Sequence, residues 1–255
     1  MMKEYDLIVS LGGNCAAASQ LRMRGKRPFS LPFDWLYMTN QETIVWLAHA
    51  FKTGFFDFCL KKNLIPIEEG ELPEKGGTTQ YRYADIVSGY RFIHHFHKPI
   101  EESDGYETVY STLSRRLARL DQFLRTANDV LFILATNFTY ELSLIEILVN
   151  AIKTKYACPN LDFIAMQFGA QFKDGRLAEE GSTDFCRWGR YKRRLGGYDL
   201  SLTSAEWAFM DDVALKGFPL RPIKGLDKVR YKLWKHLSKH FLNTGTGLKG
   251  LNLRG

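Results

Sequence analysis

No stretch of this 255-residue sequence is long and apolar enough to cross a bilayer, because its longest apolar runs are strand-length and interrupted. A basic start, an extended apolar stretch and a small-residue cleavage site are missing from MMKEYDLIVSLGG, so no signal peptide is expected and a cytoplasmic protein is. Cysteine is scarce. Cys15, Cys59, Cys158 and Cys186 are widely scattered with no C-x-x-C pair, which argues against a zinc knuckle or a disulfide scaffold and for free thiols in a reducing compartment. No metal site is expected either, since His95 and His97 have no third ligand in view. Internal repeats are absent too.

The net charge of +7 is unevenly spread. From Arg221 to Gly255 nine lysines and arginines face the single acid Asp227, a balance of +8, which leaves the body near −1. With a near-neutral body, no nucleic-acid partner is expected. The tail segment LDKVRYKLWKHLSKHFL lines up Leu226, Val229, Leu233, Leu237 and Phe241 on one helical face. It either packs on the core or makes peripheral contact with an anionic membrane surface. Nothing in the sequence specifies an oligomeric state.

Strand-like and helix-like segments alternate along the rest. Tyr5–Ser10, DVLFILATN and LDFIAMQF read as buried strands. A helix is expected from Asn14 to about Arg24, another over NQETIVWLAHAF with Asn40 as N-cap, and a third over SDGYETVYSTLSRRLARLDQFLRTA. That third helix carries Val109, Leu113, Leu117, Leu120 and Leu124 as a core stripe, with Arg115, Arg116 and Arg119 on its solvated side. TYELSLIEILVNAIKTKY and TSAEWAFMDDVALKG add two more helices, YRYADIVSGYRFIHHFHKP one or two strands, and 62–79 a loop. The expected fold is α/β: a mostly parallel sheet flanked by helices in three layers, a single domain over 1–220, with a basic helical arm over 221–255.

The stretch YDLIVSLGGNC places a cysteine where the first strand turns into the first helix. Unpaired backbone N–H groups and the positive end of the helix dipole favour a thiolate there, and the same N–H groups can hold an oxyanion. Gly12 and Gly13 let another molecule approach the backbone closely, and with Asn14 they form the candidate oxyanion- or anion-binding turn. These features suit a cysteine nucleophile, and they equally suit a turn that only binds an anion. A nucleophile needs a base within reach. His49 reads as a packing residue, and His236 and His240 as solvated, which leaves His94, His95 and His97. On a regular strand His95 and His97 share one face, while His94 shares the other with Phe92 and Phe96.

Three further groups stand out. Asp34, set between aromatics in PFDW, orients either the histidine or an adjacent backbone turn. Asn137 follows the VLFILAT strand, where open α/β sheets bind ligands; capping the next helix is its alternative role. Arg187, Trp188 and Arg190 in RWGRYKRR combine guanidinium groups with an aromatic face, which suits phosphate, sugar or nucleobase contact.

The segment SLGGNCAAASQLRMRGKRPFSLPFDWL resembles the signature of a bacterial family described as papain-like cysteine peptidases. The resemblance rests on Ser10, Leu11, Gly12, Asn14, Cys15, Leu21, Arg22, Arg27, Ser30, Pro32, Phe33, Asp34 and Trp35, and spans roughly residues 5 to 150. A family histidine followed by an acid and phenylalanine finds its nearest match in His94-His95-Phe96, with His95 in the acid's place. The resemblance implies a Cys15–histidine dyad, His94 first and His95 second as base, with Asp34 assisting and Ser30 near the substrate. It implies a thiol-dependent hydrolase or an acyl transferase. Proteins with a similar G-N-C turn are associated with surface-polysaccharide synthesis, where acyl-CoA is the natural co-substrate; no other cofactor is required. Peptide, glycan or small-molecule substrates fit this reading. The alternative is a non-enzymatic glycan- or nucleotide-binding module.

Overall fold

The structure is a computed structural model that describes residues 5–23, 29–67, 81–158, 160–168 and 173–193. It is an α/β fold, and all the described residues fall within 1–220. The expected helix over 203–217 and the basic arm over 221–255 lie outside the described residues, as does Arg27. Among the described residues no helix is long and apolar enough to cross a membrane.

Strands β1 (Leu7–Ser10), β6 (Asp129–Thr136), β7 (Asn160–Phe168), β9 (Arg187–Arg193) and β8 (Lys173–Ser182) form one sheet in that order. Its first four strands are parallel, and β8 is antiparallel to β9. Every residue of β6 is buried, as its unbroken apolar run requires of a central strand covered on both faces. Helix α2 (Glu42–Thr53) packs on α4 (Leu142–Lys155), and Phe51 of α2 meets Phe132 of β6 edge-on at 6.0 Å between centroids. Helix α1 (Cys15–Met23) also contacts β6.

A second sheet, not separated from the first in the sequence reading, is inserted between α1 and β6. It is antiparallel, in the order β2 (Leu36–Met38), β5 (Tyr90–Phe96), β4 (Tyr81–Asp85), β3 (Leu64–Pro66), and α3 (Gly105–Leu124) packs on β5. Phe33, Trp46, Phe58, Tyr90 and Phe92 form its aromatic core. The expected 62–79 loop therefore contains β3, and its part beyond 67 is outside the described residues.

Three local expectations change. Gln41 rather than Asn40 precedes α2, with no side-chain cap; Asn40 Oδ1 instead accepts from the Thr43 hydroxyl at 3.5 Å. His49 is exposed, not packed. Arg119 is buried: its guanidinium donates to the Ser30 carbonyl at 3.0 Å and lies 5.3 Å from the Phe29 ring centre. A helix face that looked solvated therefore clamps the loop before β2.

Candidate active site

The turn between β1 and α1 is built by close backbone approaches. Gly12 and Gly13 have φ of +81° and +90°, the left-handed region that side chains disfavour. A Cβ on Gly13 would stand 2.1 Å from the Ala135 carbonyl oxygen, so the turn lies directly on the C-terminal end of β6. The Tyr90 hydroxyl donates to the Leu11 carbonyl at 2.7 Å, and the Gly12 N–H donates to Ser10 Oγ at 3.3 Å. Gly12 therefore has its amide committed within the turn, while Asn14 is buried beside it.

Cys15 is the first residue of α1 and is 6% exposed. Its sulfur lies 3.5 Å from the Tyr37 hydroxyl. Strand β2 reaches this position because the Met38 N–H donates to the Gly13 carbonyl at 3.3 Å and Gly13 bridges Tyr37 in parallel fashion. All four cysteines are free. Burial holds Cys59 far above the ordinary thiol range, and it raises Cys186 to about 12. The Cys158 thiol donates to the Asn128 and Asn160 carbonyls at 3.6 and 3.5 Å.

His94 and His95 lie in an irregular part of β5. Tyr83 pairs with Phe92 but Tyr81 with Phe96, so two extra residues bulge out between them. Strict alternation therefore fails: Phe92 and Phe96 are buried, while His94 between them is exposed. Although the residue is exposed, partial desolvation of its ring, then the charge of Arg82, lowers the His94 pKa. Burial foremost, followed by Arg116, His94 and His97, brings His95 down to about 3, a neutral imidazole. Its Nδ1 is buried with no hydrogen-bond partner among the described residues. The β2–β5 register sets Arg91 opposite Tyr37, and both histidines lie further along β5. Among the described residues the group hydrogen-bonded to the Cys15 sulfur is the Tyr37 phenol.

The other candidates distribute over this region and beyond. Asp34 is buried, and its Oδ2 accepts from the Leu31 N–H at 2.8 Å, which fastens the turn that leads into Trp35, itself at φ +70°. Of the two roles expected for Asp34, this bond serves the backbone turn. Ser30 is held through its carbonyl by Arg119. Asn137 follows β6 directly, half-buried at the same sheet edge as the Gly13 turn. Further along that edge Thr136, Gln167 and Arg190 form one cross-strand row, in which Arg190 Nε donates to Gln167 Oε1 at 3.3 Å. Arg190 lies 5.3 Å over Trp188. Strand alternation turns Arg187 to the opposite face, onto a cleft of about 290 Å³ with Tyr5, Asp162 and Phe185; Cys15 does not line that cleft. No group of three metal-ligating side chains occurs among the described residues.

Tyr37 and Gln167 do not stand out in the sequence. The alternation of Leu36 and Met38 inward with Tyr37 outward was the available signal for the first. Its three-residue strand is too short to show a period.

Residues 6–168 match a family model described as "Putative papain-like cysteine peptidase (DUF1796)". A viral protein, "Uncharacterized protein R408" of Acanthamoeba polyphaga mimivirus, is 28% identical over 132 residues. That match covers 48% of this chain and 56% of the viral protein, so the chain spans little more than half of the curated relative's length. No solved structure matches the chain.

Proposed function

This chain belongs to the papain-like cysteine peptidase family matched by residues 6–168, and on that premise we propose that it is a thiol-dependent hydrolase or acyl transferase with Cys15 as its nucleophile. Family membership supports the hydrolase-type chemistry. The observation that carries the choice of Cys15 is its place: first residue of α1, at the C-terminal edge of the parallel sheet, behind two left-handed glycines. Ligands of open α/β sheets bind at that edge.

In the proposed reaction a histidine of the β5 bulge, His94 or His95, takes the thiol proton. Both are neutral at pH 7, since their pKa values are lowered, but an imidazole brought down to about 3 binds a proton weakly, which favours His94 over His95 as the acceptor. The sulfur attacks a carbonyl carbon, the C–S bond forms and the oxygen gains the charge, which the first-turn amides of α1 stabilise. Collapse breaks the bond to the leaving group, which departs with the proton from the imidazolium. Water then releases the acid, or an acceptor hydroxyl takes the acyl group. Gly13 and Asn14 shape the oxyanion side, and Ser30, Asn137, Trp188 and Arg190 contact the substrate. An anionic donor such as acyl-CoA, in surface-polysaccharide synthesis, fits the basic segments. Four free thiols suit a reducing cytoplasm. The basic tail is proposed to touch the membrane surface peripherally.

Alkylation kinetics test the assignment. Iodoacetamide should modify Cys15 well before Cys59 and Cys186, whose thiols burial holds protonated. Equal rates at all four cysteines would favour the non-enzymatic module, in which the turn only holds an anion.

A further inference from the structure

We propose that Tyr37 is a catalytic residue whose hydroxyl donates a hydrogen bond to the Cys15 sulfur and favours its charged, attacking form. This deepens the assignment of Cys15 as nucleophile and rests on it. The contact is 3.5 Å between oxygen and sulfur. A thiol is a weak donor and a phenol a good one, so the bond gains most when the sulfur is an anion accepting from O–H.

The backbone fixes the pair from both sides. The Met38 N–H is tied to the Gly13 carbonyl, Tyr37 bridges Gly13, and β2 is paired antiparallel to β5 with Tyr37 opposite Arg91. Leu36 and Met38 are buried on the other face of β2, which leaves Tyr37 directed toward the α1 end. Tyrosines elsewhere donate to oxygen: Tyr5 to Asp162, Tyr90 to the Leu11 carbonyl, Tyr106 to the Cys59 carbonyl and Tyr156 to Asp121. Those bonds knit the fold. At Tyr37 the hydroxyl meets a sulfur that stands at a helix N-terminus, the one cysteine so placed among the described residues.

The step it assists is loss of the thiol proton. The S–H bond breaks, the proton passes to the imidazole of the β5 bulge, and the phenol keeps its own proton throughout. Hydrogen bonds to charged groups are among the stronger ones, so removing this donor disfavours the anion markedly.

The test is Tyr37→Phe, which keeps the ring and deletes the donor. The iodoacetamide rate at Cys15 is read by peptide mass spectrometry near pH 6 and near pH 9. We expect the rate near about pH 6 to fall about tenfold or more, the size of a lost charged hydrogen bond. Near about pH 9, where thiols ionise without help, the rates should converge to within about twofold. Unchanged labelling of Cys59, Cys158 and Cys186 reports an intact fold, and a purely structural role would not shift the ratio between the two pH values. A wild-type Cys15 that reacts fast, with the same ratio in Y37F, overturns the Tyr37 role alone. A wild-type Cys15 no faster than the other three overturns the nucleophile itself, and the Tyr37 role with it. Should Y37F lose the fold, 3-fluorotyrosine incorporated into the wild-type chain strengthens the donor with the ring in place. The Cys15 rate near pH 6 then rises, and an unchanged rate overturns the proposal.

Discussion

Replacing Gly13 by alanine should destabilise the protein far more than its one added methyl group suggests. The residue has φ +90°, which costs a side-chain-bearing residue about 1–2 kcal/mol. Its Cβ would also stand 2.1 Å from the Ala135 carbonyl oxygen. That oxygen belongs to β6, whose Ala135 is paired with Met166 of β7, so it cannot readily swing aside. Overpacking of this kind costs about 1–3 kcal/mol, and a backbone obstacle puts this site at the upper end. The total, about 3–5 kcal/mol, is a large share of the 5–15 kcal/mol by which domains are typically stable. A midpoint drop of about 10 °C or more is expected in thermal unfolding followed by circular dichroism. Gly54→Ala is the internal control. Its φ of +108° and ψ of 167° lie in a region almost confined to glycine, but the obstacle is the Phe56 ring, a side chain 67% exposed and free to turn away. It should lose about 1–3 kcal/mol, the conformational cost alone. A G13A midpoint equal to or above that of G54A would refute the reasoning that the turn is pressed onto the end of β6.

Two further substitutions probe the surroundings. Arg119→Met should cost about 1.5–3 kcal/mol in urea denaturation, because the Ser30 carbonyl loses a charged donor and the Phe29 ring its stacked guanidinium; Arg119→Lys should not fully rescue it, lacking the planar fork. A loss below about 0.5 kcal/mol would return Arg119 to the ordinary surface class. For His95, the folded state lowers the imidazole from the ordinary 6.5 to about 3, so the unfolded chain binds its proton first. Stability is therefore lost as pH falls from about 6.5 towards about 3, and His95→Gln should flatten that part of the stability–pH curve. Parallel curves for the two proteins would show that His95 is not held neutral.

The parallel sheet was legible because its central strands are long runs of Leu, Ile, Val and Phe, and burial on both faces leaves that mark in composition. The strand–turn–helix around Cys15 was legible for a different reason: two adjacent glycines before a cysteine have few uses other than a tight approach. The second sheet was legible only in β4 and β5, within YRYADIVSGYRFIHHFHKP. Strands β2 and β3 have three residues each, and no period can be read from three. The hairpin of β8 and β9 was hidden by charge, since RWGRYKRR drew attention to its arginines rather than to its alternation. Faces also misled where the backbone was irregular. The β5 bulge puts His94 out of step with Phe92 and Phe96, and Arg119 turns inward because a loop 89 residues away in sequence offers it a carbonyl. Both are tertiary facts, settled by segments that the local pattern does not contain.

The proposed activity requires one sulfur to form a covalent bond to an acyl group. Incubation with an activated acyl thioester, followed by rapid acid quench and intact-mass and peptide mapping, tests that most directly. The expected result is a single acyl adduct located on Cys15, absent from Cys15→Ser protein of unchanged thermal midpoint. An adduct spread over Cys59, Cys158 and Cys186, or none at all from the folded wild-type chain, would contradict it.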